Sequence, residues 1–260
     1  MAAASDSDSL ARVIWRRLET TPIDIDTGVE PAIARAVADA LAAHAVPLVA
    51  RRDGRVEPLA SGVFYRAGQR LWLVTCRHVF DDGAVLGDLG IALPTLGRVR
   101  WLHEARARLL VHPEHDLAAI LVGAGELERD VCRAGRVLPL ADFDDAPAHA
   151  LVLAAYPYSQ MRRVDAVLHA RPIVVFARCL QSGGEVRASY ARTARRADGL
   201  PVHSPALDGA SGATLWALRT VAADGRYVLQ PAAVQSAFKH DAYMRGAPFS
   251  ALRRLVLAAH

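Results

Sequence analysis

From Val46 onward, apolar residues come in short runs broken by glycine, proline and aspartate, the pattern of strands and turns. Val46-Pro-Leu-Val-Ala50 is the first run, and Arg52-Asp53-Gly54 closes it with a turn. Gly62-Val-Phe-Tyr65 and Leu71-Trp-Leu-Val-Thr75 flank Arg66-Ala-Gly-Gln-Arg70, which predicts a hairpin turning at Gly68. Stretches 98–103 and 106–111 alternate arginine with other residues in part, as half-exposed strands do. Stretch 117–122 is continuously apolar, hence a buried strand. Runs at 150–156, 172–180, 213–218 and 227–238 extend the pattern, with turns expected at Gly183-Gly184 and around 223–225. Stretch 189–198 reads as a polar, arginine-rich loop or edge strand.

Two segments have a helical period instead. Glu30-Pro31 opens the alanine-rich stretch 32–43, where Ile33, Val37, Ala40, Leu41 and Ala45 share a face and proline occupies the first turn. Stretch 248–259 is amphipathic. Residues 1–30 are polar and irregular apart from 10–18. The breakers in 136–149 mark a crossover between two halves. The expected division is an N-terminal extension with a helix (1–45), a first β unit (46–135), the crossover (136–149), and a second β unit with a terminal helix (150–260). Many short strands with little helix between them predict an all-β barrel architecture.

A chain of 260 residues with 52% hydrophobic content has ample core for this. No apolar run is long enough to span a bilayer, and the polar, acidic start lacks the shape of a secretion signal, so no membrane association and a cytoplasmic location are expected. Three cysteines, Cys76, Cys132 and Cys179, are not a disulfide framework and suit a reducing compartment. The net charge of +4 comes almost wholly from arginine, Lys239 being the only lysine. The arginines are scattered without aromatic interleaving, which argues against nucleic acid as a partner.

Candidate chemistry centres on Gly209-Ala210-Ser211-Gly212. Glycines on both sides of a serine permit a sharp turn that presents the hydroxyl and leaves backbone N–H groups bare. Serine needs a base and a group to orient that base. Leu73-Val-Thr-Cys-Arg-His78-Val-Phe80 and His115-Asp116-Leu-Ala-Ala-Ile-Leu-Val122 can supply them, in the order His, Asp, Ser. Asp81, Asp82 and Asp88 lie nearer His78 in sequence, but none precedes a comparable apolar run. His112 and His115 beside Asp116 invite a zinc reading, yet no cysteine or second histidine pair stands at ligand spacing; no metal and no cofactor are expected. Cys76 reads as a buried strand cysteine rather than a nucleophile.

These three stretches resemble the motifs of the chymotrypsin/trypsin-like serine peptidases, in the form of the bacterial trypsin-like peptidase domain, over roughly residues 46–260. The resemblance implies two packed six-stranded antiparallel β-barrels with an N-terminal helical extension and a C-terminal helix closing the second barrel. It implies Ser211 as nucleophile, His78 as general base and Asp116 as its orienter, with the Gly209 and Ser211 N–H groups as oxyanion donors. Val234-Gln235-Ser236-Ala237-Phe238 resembles the strand that pairs with substrate, and Pro205, Ala206 and Leu207 would lie near the specificity pocket's floor.

The chain also departs from the family. Val79 stands where secreted relatives carry a disulfide cysteine, and Ala210 where many have an activating aspartate. Ala213-Thr214 replace the common Gly-Pro, and Phe238 replaces a small residue at the pocket mouth. A shallow pocket without a floor acid predicts no preference for Lys or Arg, which cleavage of a peptide library would read directly. The resulting expectation is a cytoplasmic serine endopeptidase acting on protein or peptide, held in check by narrow specificity or a regulatory protein partner. The alternative is a catalytically weak module of the same fold that binds a partner protein. An α/β-hydrolase elbow at Gly209–Ala213 lacks the required helix after the serine and the alternating strand-helix order.

Overall fold

The computed structural model describes residues 12–14, 20–81, 85–93, 97–141, 148–164, 167–181, 184–221 and 226–259. Strands β1 (Arg12–Ile14) and β2 (Ile23–Ile25) precede helix α1 (Pro31–Ala42). An N-terminal set follows: β3 (Ala45–Arg52), β4 (Arg55–Ala67), β5 (Arg70–Thr75), the short helix α2 (His78–Asp81), β6 (Leu89–Leu93), β7 (Arg98–Trp101), β8 (Arg108–Val111), β9 (Ala118–Val122), α3 (Glu126–Arg133) and β10 (Val137–Pro139). The C-terminal set begins with β11 (Ala150–Ala155), β12 (Met161–Val164), β13 (Val167–Ala170), β14 (Ile173–Gln181), β15 (Val186–Tyr190), β16 (Thr193–Arg196) and β17 (Pro201–His203). It ends with β18 (Thr214–Val221), β19 (Arg226–Lys239), β20 (Ala242–Pro248) and helix α4 (Phe249–Leu257).

The C-terminal set forms a closed six-stranded antiparallel barrel, β11-β18-β19-β20-β15-β14, with β14 returning to β11. β11 is apolar on both faces because both are covered, whereas β15 alternates buried Val186, Ala188 and Tyr190 with the half-buried Arg187 and Ser189. Leu151, Leu153, Val175, Leu215 and Met244 fill the interior. Val152, Val174, Phe176 and Trp216 point outward, beneath α1. That helix buries Ala34, Val37, Ala38 and Leu41, a stripe rotated from the one expected, so that Ala40 is exposed.

The N-terminal set is a sheet in the order β7-β6-β3-β4-β5-β9-β8, with β10 added in parallel to β4. Two closed barrels were expected, and among the described residues one is found. Among the described residues no ladder joins β8 to β6 or β7; a 3-10 turn at Leu102–Ala105 separates β7 from β8. The interior contains Leu48, Phe64, Tyr65, Trp72 and Ile91, all fully buried. Helix α4 follows the last barrel strand but packs here, inserting Phe249, Leu252 and Val256 into the N-terminal core. The Tyr65 and Phe249 rings are 5.2 Å apart. The resemblance assigned this helix to closing the second barrel; its apolar stripe instead joins the two halves.

Other expectations shift too. β10 lies inside the stretch read as a crossover, whose residues 142–147 are outside the described residues, as are Asp82, Gly183 and the turn at 223–225. The irregular N-terminal stretch contributes β1, parallel to β13, and β2, parallel to β14. No helix among the described residues is long and apolar enough to cross a membrane.

Candidate active site

Strand register brings His78 and Asp116 together. β5 and β9 pair antiparallel with Thr75 opposite Ala118, so His78, just beyond one strand, and Asp116, just before the other, emerge at the same end of the ladder. His78 Nδ1 and Asp116 Oδ2 are 2.7 Å apart, and the His78 backbone N–H donates to Asp116 Oδ1 at 2.9 Å. The aspartate thus fixes both ring and backbone of the histidine. Arg77 donates to the carbonyls of His112 and Pro113 at 3.3 and 3.4 Å, which ties the histidine loop to the aspartate loop.

Ser211 lies between β17 and β18 in a loop held from both halves of the molecule. Its carbonyl accepts from the Ser61 N–H at 2.9 Å, and the next N–H, of Gly212, donates to Gln235 O at 2.8 Å. Both flanking glycines have positive φ, +86° at Gly209 and +90° at Gly212. A Cβ at Gly209 would overlap the Tyr158 ring, and one at Gly212 would overlap Ser61 O and Thr75 Oγ1. Only glycine satisfies both conditions here. The N–H groups of Gly209 and Ser211 donate to no other described residue.

His78 and Ser211 line one cleft of about 560 Å³. Gly209, Leu207, Ser236, Ala237 and Phe238 line it as well. Gln235, Pro205 and Ala206 do not; Pro205 borders a different hollow. The Gln235 side chain is buried, and neither amide atom has a hydrogen-bond partner among the described residues. Ser236 turns its hydroxyl toward Arg245 O, at 3.5 Å. The Phe238 ring meets Tyr190 edge-on with 5.8 Å between centroids, and the Tyr190 hydroxyl donates to Pro205 O.

Residues outside the sequence motifs complete the cleft. Tyr158 lies against Gly209, its hydroxyl donates to Leu59 O at 2.6 Å, and its N–H donates to Asp208 O at 2.7 Å. Asp208 and Glu57 also line the cleft, so it carries acids although the anticipated floor residues do not. Ser61 is the residue sequence reading missed. Its hydroxyl donates to Gly209 O at 2.9 Å and accepts from the Tyr156 N–H at 3.0 Å. Its only trace in the sequence is a serine-glycine pair between Leu59-Ala60 and Val63-Phe64, which does not name its partners.

The ionisable groups respond to this packing. Burial pushes the Asp116 carboxyl up, but hydrogen bonds from the His78 ring and N–H, the histidine's charge and the Arg77 N–H outweigh it and hold the group below its ordinary value. Burial, reinforced by the Asp116 charge, pushes the Cys76 thiol well up. That thiol donates to Gln235 O at 2.9 Å, so it is a protonated structural cysteine. Cys76, His78 and Asp116 bring donor atoms within 4.8 Å of one another. Within the protein the thiol is engaged by Gln235 O and the imidazole Nδ1 by Asp116, which makes the trio a hydrogen-bonded cluster. His112 is lowered by burial and by His115, and its Nδ1 accepts the Glu114 and His115 N–H groups, which makes it a loop cap. No protein-family model matches the chain and no curated protein matches it, so its functional reading rests on the arrangement of His78, Asp116 and Ser211.

Proposed function

We propose that the chain is a serine endopeptidase of chymotrypsin-like architecture. The observation that carries this is the pair of hydrogen bonds that Asp116 accepts from His78, in a cleft that the histidine shares with Ser211. In this reading Ser211 Oγ attacks the scissile carbonyl while His78 Nε2 takes its proton. Asp116 holds the Nδ1–H tautomer and stabilises the imidazolium. The Gly209 and Ser211 N–H groups receive the oxyanion, each such donor contributing about 3 kcal/mol to the transition state. His78 then protonates the leaving amine, and water repeats the cycle on the acyl-enzyme. Three free thiols accord with a reducing, intracellular setting.

The test is covalent labelling of Ser211 by a fluorophosphonate probe, beside Ser211→Ala and His78→Ala. Labelling that vanishes in the first variant and slows about a thousandfold or more in the second is the expected result. A second reading, a catalytically weak module that binds a partner protein, is favoured by one feature. Phe238, packed on Tyr190, sits at the cleft where an extended substrate would need space beside Ser211. An unlabelled, correctly folded wild-type protein would support that module and refute the peptidase.

A further inference from the structure

The hairpin β16–β17 runs directly into the loop that carries Ser211, and its attachment is unusual. In the nine-stranded sheet the order at this end is β15-β14-β2-β16-β17. Among the described residues, therefore, the hairpin's sole ladder to the barrel passes through β2, a three-residue strand from the N-terminal extension. Val175 pairs with Ile23 on one side, and Arg196 pairs with Ile23 on the other. The Ala197 N–H extends the attachment to Pro22 O at 3.0 Å. Ile25 enters the barrel core and packs in the same cluster as Ala194 of β16.

We infer that residues 20–27 are a positioning strap for the loop that carries Ser211, so that catalysis depends on a segment nearly two hundred residues away in sequence. Three observations support it. β17 ends at His203, and the loop then passes Ser204, whose N–H donates to Arg192 O at 2.8 Å, so hairpin and loop move together. Pro205, fixed by the Tyr190 hydroxyl, leads within a few residues to the bare N–H of Gly209. A hollow of about 290 Å³ lies where Thr20, Thr21 and Ile23 meet Val202, His203 and Pro205. The start of β16 is also tied to the β19–β20 turn, where the Arg192 N–H and side chain donate to Asp241 at 2.8 and 2.9 Å; at the far end of the hairpin, beside the hollow, the attachment is the backbone ladder to β2. Asp24 ends the strap by accepting the Thr27 N–H at 3.1 Å. The catalytic consequence of the strap rests on the serine-peptidase reading; its effect on the loop does not.

The experiment uses the full chain. Ile23→Pro removes a ladder donor and distorts a strand paired on both sides. Val13→Pro is the control, since β1 pairs with β13 and lies outside the nine-stranded sheet. In Ile23→Pro, amides of residues 193–212 are expected to exchange about tenfold faster than in wild type while β18–β20 stay protected. Fluorophosphonate labelling of Ser211 is expected to slow about a hundredfold, through the covalent step rather than reversible probe binding. A synthetic peptide of residues 20–27 should restore it in part. Unchanged exchange at 201–212, or equal losses in Val13→Pro, would overturn the inference. If Ile23→Pro does not fold, Ile25→Ala takes its place and is judged by the same two outcomes. If wild type is not labelled at all, the peptidase reading fails, and the strap is decided by exchange alone.

Discussion

Asp116 is asked to do two things at once, and both can be measured. It fixes the ring and the backbone of His78. Asparagine in its place keeps the shape but loses the charge and can select the wrong imidazole tautomer. Asp116→Asn should therefore slow Ser211 labelling by ~10⁴-fold at neutral pH. The same contacts make a stability statement. A carboxyl held below its ordinary value of 3.8 contributes stability that is present above that value and lost as pH falls through the depressed one. Wild-type Tm should fall more steeply than that of Asp116→Asn as pH drops from about 5 to 2, with a modest difference because the group is only half buried. Gly212 gives a second test at this scale. Alanine there meets a positive φ, Ser61 O and Thr75 Oγ1 together, so Gly212→Ala should destabilise by about 3 kcal/mol in urea unfolding. That His78 would meet Asp116 and share a cleft with Ser211 was legible in the sequence because each sits in a local motif of strand and turn. Ser61 was not. Its partners Gly209 and Tyr156 lie 148 and 95 positions away, and no local pattern encodes them.

Elements were legible where burial imposes a long, uniform pattern. β9, β11 and the first half of β14 are continuously apolar because both faces are covered. β2 and β10 are three residues each and owe their conformation to strands from elsewhere in the chain, so no period reveals them. α3 is short and rich in charge, with only Leu127 and Val131 buried, too few positions to mark a helix against its surroundings. α4 was legible as a helix but not in its destination. An amphipathic stripe shows that a helix packs, not what it packs against. Its destination makes a prediction at this scale. Phe249 is 4% exposed and contacts Tyr65 in the N-terminal core. Phe249→Ala should cost about 3–5 kcal/mol and undock the helix. Hydrogen exchange should then rise in α4, in β4, whose Tyr65 it touches, and in β9, against which it packs, before it rises in the barrel strands β11 and β14. Faster exchange confined to the C-terminal barrel would contradict this placement of the helix.

For the whole molecule, the two sets of strands are not two independent units. The N-terminal core includes Val234 and Ala247 from β19 and β20 as well as the face of α4. Ser61, from β4, bonds the loop that carries Ser211 and the residue just after β11. Thr75 and Cys76 add hydrogen bonds of their own, the thiol reaching Gln235 O across the same boundary. The cleft thus lies on the seam, and the His78–Asp116 pair faces the Ser211 loop only while both halves are folded and docked. The N-terminal set has no closing ladder among the described residues, and much of its core is completed by segments from the C-terminal half. Unfolding either half should expose apolar surface on the other, which couples them thermodynamically. Equilibrium unfolding in urea should therefore be a single transition. Trp72 and Trp101 report the N-terminal set, Trp216 reports the barrel, and single-tryptophan variants can follow each half separately. Their midpoints should coincide with each other, with far-UV circular dichroism, and with loss of probe labelling at Ser211. Two separated midpoints would mean that the seam is a contact between autonomous domains. The active-site alignment would then depend on docking after folding, and Ser61→Ala would affect activity without changing the midpoint of either half.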